Sequence, residues 1–165
     1  MHQDTHWPTE KTAVYDLLAA QIDALVMDCP PVSALSNAAA LLWDALTDIN
    51  WAGFYLLKGD FLHLGPFQGK TACTLIAVGR GVCGTAAATR QIQLVRDVHQ
   101  FPGHIACDSA SKSEIVLPMM KDKTLLGVLD IDSPQFARFD DVDKDGLERI
   151  CEILMTRVDW SNGLL

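Results

Sequence analysis

Trp51-Ala52-Gly53-Phe54-Tyr55-Leu56, followed across Lys58-Gly59-Asp60 by Phe61-Leu62-His63-Leu64, is the stretch where the periodicity of this chain changes. Upstream, apolar residues recur at helical spacing: Val14, Leu17, Leu18, Ile22, Leu25 and Val26, then Leu35, Ala38, Ala39, Leu42 and Leu46, with Cys29-Pro30-Pro31 as the break between two helices. From Trp51 the alternation is twofold, so Trp51, Gly53 and Tyr55 share one strand face and Phe61 to Leu64 forms the hairpin partner. Gly65-Pro66-Phe67-Gln68-Gly69-Lys70 reads as a loop, Cys73 to Val78 as an apolar run, and Val82 to Ala88 as a short helix rich in small residues. Ile92 to Val95 is a brief strand, and Glu114 to Met120 with Leu125 to Asp132 is a second hairpin turning at Asp122-Lys123. Asp140 to Val158 closes the pattern as an amphipathic helix with acidic residues in its first turn, where the helix dipole favours them. The expected class is α+β, with helices flanking a central, mainly antiparallel sheet.

A chain of 165 residues is expected to form one domain spanning residues 1–165. Hydrophobic residues make up 49% of it and charged residues 21%, an ordinary globular balance, and no apolar run approaches the roughly 18 residues of a membrane span. The net charge of −8, without a Lys/Arg cluster, argues against nucleic acid as a partner. The opening residues Met1-His2-Gln3-Asp4-Thr5-His6 lack the basic region and apolar core of a secretory signal, so a cytoplasmic location is expected. Five cysteines, Cys29, Cys73, Cys83, Cys107 and Cys151, are an odd number without a short repeated spacing, which is not a secreted disulfide framework.

Chemistry concentrates downstream of the first hairpin. Phe101 to Glu114 has neither apolar period, is rich in turn formers and places Cys107 in a polar loop. Loops of about 15 residues that persist in compact domains are usually functional or disordered, and the apolar strands on either side favour function. Cys73 and Cys83 also lie at or beside loops. A thiolate with a second thiol nearby is a redox arrangement, in which a sulfenic acid on one sulfur condenses with the other. Zinc is the competing reading: His104 and Cys107 form His-x-x-Cys, and two further cysteines would complete four ligands, although Cys73 and Cys83 form no Cys-x-x-Cys knuckle. Cys29 and Cys151 fall in or beside helices and read as structural.

Alternation also projects Asp130 and Asp132 together from one strand face, and such a pair either faces a cation or shares a proton. The plainer alternative is a solvated strand end, with Asp132 capping the turn at Ser133-Pro134. Glu114 adds a third carboxylate if its strand is a neighbour. Trp51 and Tyr55 are half-buried core residues or the wall of a small apolar pocket. Gly79-Arg80-Gly81 is a turn before a phosphate cradle, and His99 and His104 are not distinguished locally from other loop histidines.

In order along the chain, Asn50-Trp51-Ala52-Gly53-Phe54-Tyr55, Leu64-Gly65-Pro66-Phe67-Gln68-Gly69-Lys70, Gly79-Arg80-Gly81-Val82-Cys83-Gly84, Gly103-His104-Ile105-Ala106-Cys107-Asp108 and Gly127-Val128-Leu129-Asp130-Ile131-Asp132-Ser133 closely resemble the free methionine-(R)-sulfoxide reductases, stand-alone GAF-domain enzymes. The resemblance implies a GAF fold with a six-stranded antiparallel sheet, and thiol-based reduction of free methionine (R)-sulfoxide. It implies Cys107 as nucleophile, Cys73 as the main resolving cysteine and Cys83 as an auxiliary partner. Glu114, Asp130 and Asp132 become the substrate-binding carboxylates, and Trp51 and Tyr55 the wall around the substrate methyl group. It further implies a homodimer, thioredoxin as reducing partner, and no metal or organic cofactor. A GAF module that binds a small molecule without turnover is the rival reading.

Overall fold

The two N-terminal helical patterns form α1 (Lys11–Val26) and α2 (Pro31–Ala45) of a computed structural model that describes residues 6–104 and 108–161. Pro31 stands at the first turn of α2, where a missing N–H costs nothing, and Asp28 takes a left-handed conformation in the bend between the helices. Strands β1 (Trp51–Lys58), β2 (Phe61–Gly69), β3 (Leu75–Ala77), β4 (Gln93–Val95), β5 (Ser113–Lys121) and β6 (Thr124–Ser133) make one six-stranded sheet in the order β3-β2-β1-β6-β5-β4, and every neighbouring pair is antiparallel. Helix α3 (Gly81–Thr89) follows β3, and α4 (Asp141–Arg157) follows β6. No helix among the described residues is long and apolar enough to cross a membrane.

One boundary differs from the sequence expectation. Strand β2 does not stop at Leu64 but runs through Gly65-Pro66-Phe67-Gln68 to Gly69. The register explains how a Gly-Pro pair survives inside a strand. Gly53 pairs with Phe67 and Tyr55 with Leu64, so Gly65 and Pro66 together oppose Phe54 in a bulge, where proline's missing donor breaks no ladder bond.

The two faces of the sheet carry different cores. Ala52, Phe54, Ile115, Leu117, Leu129 and Ile131 project towards α1, α2 and α4 and form the larger apolar cluster. Trp51, Tyr55, Val116 and Val128 project the other way, against Val82, Cys83, Ala86 and Ala87 of α3. The glycine and alanine content of α3 has a steric reason, since a Cβ on Gly84 would lie 2.5 Å from the carbonyl oxygen of Ala77.

Helices α1 and α4 are pinned by one buried carboxylate. Asp143 is 0% exposed, closes the α4 capping box with the backbone N–H of Asp140 at 2.9 Å, and accepts from Tyr15 Oη at 2.9 Å, Lys11 Nζ at 2.7 Å and Arg138 Nη1 at 3.1 Å. Removing one partner of such a network strands the others, a loss of about 3–5 kcal/mol for a buried pair. Asp143→Ala is therefore expected to lower unfolding free energy by about 3 kcal/mol in urea titrations. A loss below about 1 kcal/mol would show that the network does not hold the helices.

Candidate active site

Strand register assembles a patch on the α3 face of the sheet. Asp132 stands opposite Trp51 on β1 and Glu114 on β5, and Asp130 stands opposite Gly53 and Val116. Glu114 does join the pair: β5 is the neighbour of β6, and the three carboxylates converge on one cavity of about 40 Å³ that Trp51, Tyr55, Cys83 and His104 also line. The alternative role for Asp132 is filled by another residue, because Ser133 Oγ accepts from Gln135 N at 3.0 Å and closes the turn.

The aromatic wall is larger than Trp51 and Tyr55. Their rings stack with centroids 5.7 Å apart, and Trp51 also stacks against Phe67 at 5.3 Å, a residue the strand pairing sets opposite Gly53. Gly53 makes room for the stack, since a Cβ there would fall 2.3 Å from Cβ of Phe67 and 2.8 Å from the Trp51 ring. Both polar tips bind the segment after β2. Trp51 Nε1 donates to the Lys70 carbonyl at 3.2 Å, and Tyr55 Oη donates to the Cys73 carbonyl at 3.0 Å.

Burial sets the electrostatics. Glu114 is held well above the usual carboxylate range by desolvation, then by the charges of Asp130 and Asp132. Desolvation pushes Asp130 up to about 6, while bonding to Cys83 and Glu114 pulls it down. Asp132 is raised by desolvation, then by Asp130 and Asp108. Like charges at this spacing share protons, so the trio does not ionise together at neutral pH. His104 Nε2 lies 3.8 Å from Glu114 Oε2, and burial, with a smaller push from His99, lowers its pKa and keeps the imidazole neutral.

The cysteines divide clearly. Cys83 is not on a loop but in the first turn of α3, buried, with Sγ 3.9 Å from Glu114 Oε1. Desolvation and the neighbouring carboxylates, Asp130 foremost, raise its pKa and keep it a thiol. Cys73 is disulfide-bonded, whereas Cys29, Cys83 and Cys151 carry free thiols. Cys107 lies outside the described residues. Its neighbour Asp108 accepts from Asn50 Nδ2 at 3.2 Å and from Ala110 N at 2.9 Å, and sits 3.7 Å from Lys70 Nζ, so the 108–111 side of the loop is fastened to the site by Asn50 and Lys70. Sequence reading passed over Phe67, Asn50 and Lys70 in this role. The signal available was only that all three fall within the resembling motifs.

Residues 30–158 match the GAF domain family. The chain is 56% identical to free methionine-R-sulfoxide reductase of Escherichia coli over 85% of this chain and 86% of that one. It is 51% identical to the Saccharomyces cerevisiae protein of the same name over 74% of this chain and 73% of that one. The structure of free methionine-R-sulfoxide reductase from Neisseria meningitidis in complex with its substrate superposes with a TM-score of 0.92 at 43% identity, covering 98% of each chain. Similarity of this extent, with a GAF sheet beneath it, shows that the chain belongs to the free methionine-R-sulfoxide reductase family of GAF-domain proteins.

Proposed function

We propose that this protein reduces free methionine (R)-sulfoxide to methionine through Cys107 and Cys73. The observation that carries the reading is the joining, in one cavity, of Glu114, Asp130 and Asp132 with the Trp51–Tyr55 wall, beside a cysteine already in a disulfide. A free amino acid offers an ammonium group to the carboxylates and a methyl group to the aromatic face. Its carboxylate suits the N-terminus of α3, where Gly81, Val82 and Cys83 border the cavity and no side chain caps the helix.

In this mechanism the Cys107 thiolate attacks the sulfoxide sulfur and forms an S–S bond, the oxygen takes up two protons, one of them from Glu114, which burial and its neighbours' charges keep protonated, and the S–O bond breaks with loss of water. Water then attacks the Cys107 sulfur, the S–S bond breaks to release methionine, a proton returns to solvent, and Cys107 is left as a sulfenic acid. Cys73 attacks that sulfur, water departs, and a disulfide joins the two residues until a thioredoxin-type dithiol reduces it. The oxidised state of Cys73 and the buried, protonated state of Cys83 support Cys73 as the resolving partner. The same reading keeps residues 1–165 as one domain, a homodimer in the cytoplasm, and turnover without a metal or organic cofactor. Leu25, Met27 and Val32, exposed around the α1–α2 bend, support self-association.

Cys107→Ser is expected to abolish turnover with free methionine sulfoxide and thioredoxin, while Cys73→Ser releases about one methionine per enzyme and stalls. Binding without turnover by the unaltered protein would instead identify a sensor.

Asp130→Asn separates binding from stability. A carboxyl whose pKa is raised from 3.8 to about 6 stabilises the fold fully below pH 3.8, and that contribution is lost as pH rises through about 6. The asparagine variant, free of substrate, is thus expected to gain roughly 2–3 kcal/mol in urea unfolding at pH 8, and less at pH 5, while its KM for free methionine sulfoxide rises. Acetylating the substrate amine should raise KM of the unaltered enzyme in the same direction, because it removes the charge that Asp130 and Asp132 bind. Equal KM values would show that the carboxylates do not select a free amine.

With the methyl group and ammonium both fixed, only one sulfur configuration lets Cys107 approach opposite the oxygen. Racemic free methionine sulfoxide should be consumed to about half, leaving the S epimer resolvable by chiral chromatography. Trp51→Ala should cut turnover about a hundredfold through mispositioning, with alkylation of Cys107 by a small reagent unchanged.

A further inference from the structure

The ammonium of an amino acid accounts for the carboxylates of this cavity but has no use for the sulfur set among them. Cys83 Sγ and one oxygen each of Glu114 and Asp130 lie within 4.8 Å of one another, all three residues being buried. A second observation points to a ligand at the same place. Asp130 is 5% exposed and lines the cavity, yet its Oδ1 is buried without a hydrogen-bond partner. An orphaned carboxylate oxygen of this kind is costly unless something fills it.

Geometry and donor type narrow the class. The 3.9 Å between Cys83 Sγ and Glu114 Oε1 is close to the edge of about 3.5 Å that a tetrahedral zinc site has between a thiolate and a carboxylate oxygen. His104 Nε2 lies 3.8 Å from the other oxygen of Glu114 but outside this group of three, so the fourth position of a tetrahedral ion would fall to water. A thiolate with two carboxylates suits zinc or cobalt, and the sulfur disfavours magnesium and calcium. The cavity of about 40 Å³ has room for an ion with a water or two of its shell.

We propose that Cys83, Glu114 and Asp130 form an inhibitory site for a zinc-class divalent cation. The cation displaces the Cys83 thiol proton and any carboxyl protons to solvent, and no electron changes hands. This ligand set shares only Cys83 with the zinc reading drawn from the sequence, and needs none of Cys73, His104 and Cys107. Mutual exclusion of cation and sulfoxide rests additionally on the proposed function, since both would occupy Asp130 and Glu114.

The test is a cobalt(II) titration of the full oxidised chain, in which Cys73 is held in its disulfide and cannot ligate. One bound ion with a thiolate-to-cobalt charge-transfer band is expected. Cys83→Ser should abolish the band, Asp130→Asn should keep it while weakening Kd about tenfold or more, and Cys29→Ser should change neither. Circular dichroism checks that each variant is folded; should Cys83→Ser not fold, the Asp130→Asn and Cys29→Ser titrations decide between the site and its absence. No band, a band persisting in Cys83→Ser, or a band lost in Cys29→Ser would overturn the site. Free methionine sulfoxide added to the cobalt complex should bleach the band, and failure to do so would overturn mutual exclusion alone. Cobalt binding through Cys83 in a protein that reduces no sulfoxide would overturn the proposed function and leave the metal site standing.

Discussion

The period-two alternation of β6 is the constraint on which the site rests. Leu129 and Ile131 point into the apolar cluster beneath α1, α2 and α4, which forces Asp130 and Asp132 onto the opposite face. A slip of one residue would send both aspartates into that cluster and the apolar pair into the cavity. The large core therefore fixes the register, and the register delivers the carboxylates opposite Trp51, Gly53, Glu114 and Val116. Placement of the three carboxylates is here a by-product of packing on the far side of the sheet.

Two buried aspartates show how the same chemistry is put to different uses. Asp143 has a lysine, an arginine, a tyrosine hydroxyl and a backbone N–H around it, so its burial is compensated and its effect is to clamp α1 to α4. Asp130 faces other carboxylates and a thiol, keeps one oxygen without a partner, and has its pKa raised. Bonding to Cys83 and Glu114 relieves it only in part, and no cation among the described residues faces it. A group left in that condition by an otherwise well-packed protein is relieved by what enters the cavity, which is the physical content of calling it a binding site.

Much of this was legible in the sequence because it follows from periodicity. Both N-terminal helices, the two hairpins, the closing helix and the shared face of Asp130 and Asp132 come from spacing alone. Strand β2 was not legible past Leu64, because Gly65-Pro66 carries the composition of a turn and only the pairing of Phe67 with Gly53 shows a bulge. Cys83 was legible as part of the short helix after Gly81 but not as buried, because a small-residue helix has no apolar stripe to announce which side faces the core. The fastening of Asp108 by Asn50 and Lys70 joins segments about forty to sixty positions apart, and no local pattern encodes such a meeting. The assignment of Cys107 and Cys73 to chemical roles likewise came from resemblance, since spacing left zinc and redox readings both open.

The aromatic wall does more than shape the cavity. Through Trp51 Nε1 and Tyr55 Oη it holds the carbonyls of Lys70 and Cys73, so the segment bearing the cysteine proposed to resolve the sulfenic acid is anchored to the surface proposed to grip the substrate methyl group. Lys70 in turn lies beside Asp108, the residue following Cys107. The aromatic wall, the backbone at Cys73 and the flank of the 105–107 segment are thereby tied to one strand, β1, which is itself locked at the centre of the sheet between β2 and β6. In the proposed mechanism a rigid central strand of this kind would keep the two sulfur-handling steps in one frame, so that the sulfenic acid of the first would meet Cys73 in the second without a search through solvent.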